Sequence, residues 1–345
     1  MIKENKKIIC LCLLFISISI IAAVISLSIG RYSKVGFAES FEIISKLLFY
    51  RSELNINDIS VNVIVNLRLP RIIGSIFVGA SLACAGTAFQ ALFSNPIASP
   101  DTLGVTHGAS FGAALGIILG LNTVFIKLSA FAIGCSVVII VFVFASSLNK
   151  GQNLTNNLLL IGLIVSSVFQ SFVSILKYIA DPDNQLPQIT YWLMGSFTQF
   201  TTKDIFPVVL AFFIGFVTLF TIRWRLNLLT ISESEARSLG VNIKGLRLIT
   251  IFCATLLTAV STSLTGGITW FGLIIPHITR LLVGNDFRKI LPISACMGSA
   301  FLIIMDTIAR SVSLQEIPIS ILTSLFGAPL FVIILVKNER QHKWK

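Results

Sequence analysis

Long apolar, charge-poor runs recur along the whole chain, at 8–30, 63–93, 102–120, 123–148, 154–180, 204–222, 246–266, 271–284, 291–313 and 319–337. A helix that crosses a bilayer needs about 20 consecutive apolar residues. The pattern therefore predicts an all-α integral membrane protein with about ten transmembrane helices joined by short loops. A soluble fold is excluded by composition as well, since only 12% of the 345 residues are charged, against about 25% in an average soluble domain. One membrane domain over residues 1–345 is the expected organisation.

The formal net charge of +11 raises the question of nucleic acid. The Lys and Arg, however, lie between the apolar runs rather than in a stripe interleaved with stacking aromatics, so no nucleic-acid partner is expected. The positive-inside rule accounts for them. With ten spans both termini share a side, and that side would hold Lys3, Lys6, Lys7, Lys150, Arg223, Arg225, Arg237, Lys244, Arg247, Arg280, Arg288, Lys289 and the basic C-terminal tail, which is most of the 26 Lys and Arg. Both termini are thus expected in the cytoplasm. The first run is longer than the apolar core of a signal peptide and lacks a convincing A-x-A end, which favours a retained helix. All six cysteines fall in apolar runs without a C-x-x-C pair, so neither a zinc site nor a disulfide framework is expected.

Gly112, Gly116 and Gly120 recur every four residues, as do Gly79 and Ala83, a spacing that lets helix backbones approach closely. Prolines 70, 96, 100, 276, 318 and 329 lie at or near span ends and predict broken or short helices. Asp306 is the acidic residue deepest in a run, and Arg310 four residues on is its expected ion-pair partner. His277 follows Pro276 without convergent partners and reads as structural. The acidic stretch 180–187 lacks the glycine and terminal glutamate of a calcium loop and reads as an external turn.

No G-x-x-x-x-G-K-[ST] cradle for phosphate occurs, so energy for transport would come from another subunit or an ion gradient. The segment at about 223–247 is the longest loop on the cytoplasmic side. In it Ser232 and Glu235 form a capping-box pattern, Gly240 fits a left-handed helix stop, and Asn242 restarts helix. On local pattern alone, a compact knob and an ordinary solvated loop are equally consistent.

Several ordered motifs resemble the FecCD-type permease family. They are Leu67-Arg68-Leu69-Pro70-Arg71, Gly79-Ala80-Ser81-Leu82, Gln90-Ala91-Leu92-Phe93, Asn95-Pro96-Ile97-Ala98-Ser99-Pro100 and Leu103-Gly104-Val105, followed by Trp192-Leu193-Met194-Gly195-Ser196 and Ala236-Arg237-Ser238-Leu239-Gly240-Val241. Gly272 to Arg280, Asp306 with Arg310, Ile317-Pro318-Ile319 and Gly327-Ala328-Pro329 complete the set.

The resemblance implies a bundle like that of the vitamin B12 importer permease, a type II ATP-binding cassette importer. It further implies a dimer of permeases in the bacterial plasma membrane, two ATP-binding cassette ATPase subunits below and an extracytoplasmic substrate-binding protein above, with no cofactor and no catalytic residue of its own. It assigns Glu233, Glu235, Ala236, Arg237, Leu239 and Gly240 to ATPase contact, and Arg68, Arg71 and Arg310 to docking of the binding protein. Snorkelling, or for Arg310 the pair with Asp306, is the alternative for the arginines. The implied cargo is an iron-siderophore or related iron chelate, with haem or vitamin B12 as alternatives. An ion-coupled transporter is a separate possibility, disfavoured by the scarcity of intramembrane carboxylates.

Overall fold

The computed structural model describes residues 2–30, 36–49, 58–148, 154–231, 233–313 and 315–342. Within them the chain is helical, with no strand, as the length and spacing of the apolar runs require. In order the helices are α1 (Ile2–Ser28), α2 (Phe37–Phe49), α3 (Ile59–Asn62), α4 (Leu69–Leu92), α5 (Val105–Ile118), α6 (Thr123–Ser147) and α7 (Leu154–Ile179). They continue as α8 (Gln185–Leu193), α9 (Thr202–Leu226), α10 (Glu233–Ser238), α11 (Ile243–Thr265), α12 (Phe271–Val283), α13 (Phe287–Ser311) and α14 (Ile319–His342).

Seven helices among the described residues are long and apolar enough to cross a membrane, and Val105–Ile118, Phe271–Val283 and Ile319–Ile333 are shorter apolar helices. Each of the ten expected runs is thereby helical. Some boundaries differ: α3 and α4 are continuous through a π-helical turn, Val63–Arg68, so Pro70 does not break its span, and Pro276 and Pro329 lie inside α12 and α14. Pro70 has no N–H to donate and crowds the carbonyl four residues back, and the wider turn before it absorbs both defects.

Local chemistry sets the helix ends. Asn122 caps α6 by accepting from Phe125 N at 3.1 Å, Thr201 and Asp204 form a capping box on α9, and Asp286 caps α13 by accepting from Arg288 N at 3.0 Å. Each side chain satisfies a donor that the first helical turn leaves open.

The core is α4, buried along most of its length and packed on α13, α11, α12 and α9. Close approach depends on absent side chains. A Cβ at Gly86 would overlap the Gly272 carbonyl of α12, and one at Gly79 the Gly298 carbonyl of α13. The α5 stripe behaves similarly at Gly112, where a Cβ would lie 2.5 Å from Ser129 O of α6. Gly120 leaves the stripe: it has φ +64° just past the helix and faces open space. Outward sit α1 and the lipid-facing sides of α6, α7 and α9, which carry exposed residues such as Ile20, Phe144, Leu163 and Phe213.

The polar groups segregate to two opposite ends of the bundle. One end holds α10, the start of α11, the loop from α12 to α13 and the start of α1, where Lys7 Nζ donates to Leu282 O at 2.9 Å. The other holds Lys127 with Asp204 at 2.7 Å and an arginine–carboxylate cluster.

Candidate functional site

At the first end the chain leaves α9 through a tight turn, Asn227–Leu229, and forms the one-and-a-half-turn helix α10. Gly240 ends it at φ +74°, and Asn242 starts α11 by accepting from Gly245 N at 3.1 Å. The loop is thus a compact knob, as the glycine stop and asparagine restart suggest. Ser232 lies outside the described residues, so the expected capping box does too, as do the side chains of Glu233 and Arg237.

Burial divides the expected contact residues. Leu239 is 64% exposed and Glu235 and Gly240 are exposed, so these three present a surface. Ala236, also expected at the contact, is fully buried in this structure, in an apolar cluster with Leu226, Leu229, Ile243, Leu246, Phe287 and Ile290. It is an anchor, because a short helix needs one face packed on the bundle to hold its shape.

A second anchor was not legible in the sequence. Asn227 Nδ2 donates to Asp286 Oδ1 at 2.9 Å, and Phe287 N donates back to Asn227 Oδ1 at 2.9 Å. Burial alone would push the Asp286 carboxyl up, but hydrogen bonds from Arg288 and Asn227 outweigh it and hold the carboxyl below the usual carboxylate range. The knob is therefore clasped to the first turn of α13.

At the opposite end Arg71 donates from Nη2 to Asp306 Oδ1 at 2.7 Å and from Nη1 to Glu316 Oε1 at 2.8 Å. Arg310 Nε lies 3.7 Å from Asp306 Oδ2, beyond hydrogen-bond reach, and Arg310 Nη2 donates to Ser26 Oγ at 2.6 Å. The expected Asp306–Arg310 pair is present but secondary, and Arg71 is the tighter partner of Asp306. Arg68 donates to Leu27 O at the end of α1. All three arginines are largely buried, and they line one cavity of about 290 Å³ together with Glu316, Thr198 and Phe200. Their guanidinium groups converge there rather than standing in solvent.

Between the two ends, nearer the cluster, four helix ends meet. These are the C-termini of α8 and α11 and the starts of α12 and α14. Ser196 N donates to Thr265 O at 2.7 Å, Ile319 N to Gly195 O at 2.9 Å, and Ser320 Oγ to Gly267 O at 2.6 Å. Gly266 (φ +74°) is required here, since a Cβ would also overlap the Trp192 carbonyl. Backbone groups freed by helix breaks are thus satisfied within the junction, as an apolar surrounding demands. Beside it opens a cavity of about 480 Å³ with Asn122, Lys127, Gln188, Tyr191, Gln199 and Thr265 on its walls. His277 is buried edge-on to Phe331 at 5.2 Å, with neither ring nitrogen hydrogen-bonded.

Comparisons with known proteins fit this geometry. The model of the FecCD transport family matches residues 18–337. The molybdate import system permease protein MolB of Haemophilus influenzae is 40% identical over 322 residues, 93% of this chain and 94% of that protein. A probable iron chelatin transport system permease of Helicobacter pylori is 32% identical, covering 80% and 83% of the two chains. The hemin transport system permease HmuU of Yersinia pestis is 33% identical, covering 83% and 86%. Among solved structures, an inward-facing metal-chelate type ABC transporter aligns with TM-score 0.83 at 38% identity, over 96% of this chain and 99% of that one. The chain belongs to the FecCD transport family. It is a multi-pass membrane permease subunit of the ABC importer class.

Proposed function

We propose that this permease forms the path for a metal-bearing solute, pairing with a second copy or a paralogue in the bacterial plasma membrane. ATP-binding cassette ATPase subunits engage the knob, an extracytoplasmic binding protein engages the arginine end, and both termini lie in the cytoplasm. The observation that carries the reading is the knob itself. Its surface residues Glu235, Leu239 and Gly240 lie on or just after a short helix whose Ala236 is buried in an apolar cluster, and Asn227 at the entry to the knob is hydrogen-bonded to the start of α13; such a fixed helix transmits a push that a loose loop would absorb. Arg68, Arg71 and Arg310 are the proposed docking residues at the other end, acting through the cavity they line.

For the cargo we propose an iron-siderophore or related iron chelate, in keeping with the iron chelatin permease among the relatives; haem remains a variant of that reading. Molybdate is a second reading, favoured by the longer and higher-identity match to MolB. Reconstitution with the ATPase and binding-protein subunits tests the class: uptake requires both partners and ATP. Uptake by this chain alone under an ion gradient refutes it. Comparing radiolabelled ferric siderophore with radiolabelled molybdate in the same vesicles decides the cargo.

A further inference from the structure

The two carboxylates on Arg71 are held unequally. Asp306 sits within α13 with its side chain 1% exposed, whereas Glu316 lies in the connection from α13 to α14 with its side chain 21% exposed. Each takes a different nitrogen of the guanidinium fork, so one can leave while the other stays. Beside Glu316 the cavity of about 290 Å³ supplies room for another carboxylate to approach the same nitrogen.

Glu316 also has a second attachment. Its Oε2 accepts from Thr198 Oγ1 at 2.8 Å, and Thr198 Oγ1 lies 2.5 Å from Ser196 Oγ and 3.0 Å from the Tyr191 hydroxyl. Ser196 is the residue whose N–H bonds to Thr265 O in the junction of helix ends. Glu316 therefore ties Arg71 of α4 to the segment between α8 and α9, and through it to the junction.

We propose that Glu316 is an exchangeable intramolecular occupant of the Arg71 site. An incoming carboxylate, presented by an acidic side chain of the docking partner, takes its place on Arg71 Nη1. The link from α4 through Glu316 to Thr198 is then released, loosening the junction. The proposal rests on the docking reading above and adds the identity of the group displaced. It makes docking and loosening of the junction one event, since the partner's carboxylate cannot seat until Glu316 departs.

The test uses the full chain in nanodiscs with Glu316→Ala, Glu316→Gln and Arg71→Gln variants. The probes are sodium propionate, propionamide and sodium chloride, with thermal stability as the readout, followed by the purified binding protein. Glu316→Ala is expected to have a lowered melting temperature that propionate restores and that propionamide and chloride do not. Glu316→Gln is expected to bind the binding protein about tenfold more tightly than wild type, because no internal carboxylate competes. No restoration by propionate, or unchanged or weaker partner binding by Glu316→Gln, overturns the exchange. Equal partner binding by wild type and Arg71→Gln instead overturns the docking reading, while propionate restoration still reports on the Arg71 site. If Glu316→Ala does not fold, partner binding by Glu316→Gln decides alone.

Discussion

Asp306 has two arginines within ion-pair distance, and a pair of double-mutant cycles ranks them. The 3.7 Å separation to Arg310 against 2.7 Å to Arg71 makes the Coulomb attraction only about a quarter weaker at equal dielectric. Distance alone therefore separates the two pairs poorly. What separates them is the charge-assisted hydrogen bond to Arg71, worth about 1.5–3 kcal/mol, which Arg310 cannot make at 3.7 Å. Both pairs are nearly excluded from water, so screening does not equalise them. The cycle of Arg71→Gln with Asp306→Asn is expected to give a coupling of about 2–4 kcal/mol, and that of Arg310→Gln with Asp306→Asn about 1 kcal/mol. Unfolding free energies from SDS titration in mixed micelles supply all six states. The cycle matters because each single variant also strands a buried charge, a cost that the coupling term subtracts. A larger coupling for Arg310 than for Arg71 refutes the ranking.

Gly86→Ala is expected to prevent stable assembly, because the new methyl overlaps the Gly272 carbonyl and backbone cannot yield as a side-chain tip does; Gly36→Ala, with nothing within 4 Å, is the control, and the monodisperse fraction after detergent extraction reads both. Gly240→Pro cannot adopt φ +74°, so the proposed ATPase coupling should be lost with insertion intact, whereas Gly240→Asn, which tolerates the left-handed region, should retain most of it; equal uptake by both variants counts against the knob. The depressed Asp286 carboxyl contributes stability that is present above its unfolded value of about 3.9 and is lost as pH falls through the lower folded value. Wild type should therefore exceed Asp286→Asn in stability by a constant margin from about pH 8 to 5, with the margin shrinking only below about pH 4; a margin that changes across neutral pH would point to another group.

What could be read from the chain beforehand was whatever is written locally. Apolar runs define helices because each must satisfy its own backbone in lipid, and Gly240 and Asn242 announce a stop and a restart within three residues. Asp306 shows the limit of such local signals: its expected pair with Arg310 is present, but its tighter partner is remote. Arg310 is four residues away and visible by helix spacing, while Arg71 is 235 residues away and visible only in the fold. Ala236 reads as part of an exposed motif until it is seen buried in a cluster with residues from the 226–229 turn, α11 and α13. Glu316 carries no local signal at all, since a lone carboxylate in a loop resembles any solvated charge. The junction leaves scattered traces in the sequence, the adjacent glycines Gly266-Gly267 at the end of an apolar run, Gly195-Ser196 and Pro318, but nothing local says that they meet.

The two ends of the protein are joined by one rigid element. α13 begins at the Asp286 clasp with the knob and carries Asp306 and Arg310 into the arginine cluster. Its 25 residues span about 37 Å, close to the full bilayer depth. Tight seating against α4 at Gly79 and Gly298 makes the α4–α13 slab the stiff part of the molecule. The junction of α8, α11, α12 and α14 combines backbone and hydroxyl hydrogen bonds with a buried apolar cluster that includes Leu264, Phe271, Ile319 and Leu322. If the knob is the ATPase contact proposed above, α13 is the continuous element that would carry a displacement from it towards the arginine cluster. At that end Glu316 and Thr198 link the cluster to the segment next to the junction, so the proposed carboxylate exchange would act where the two meet.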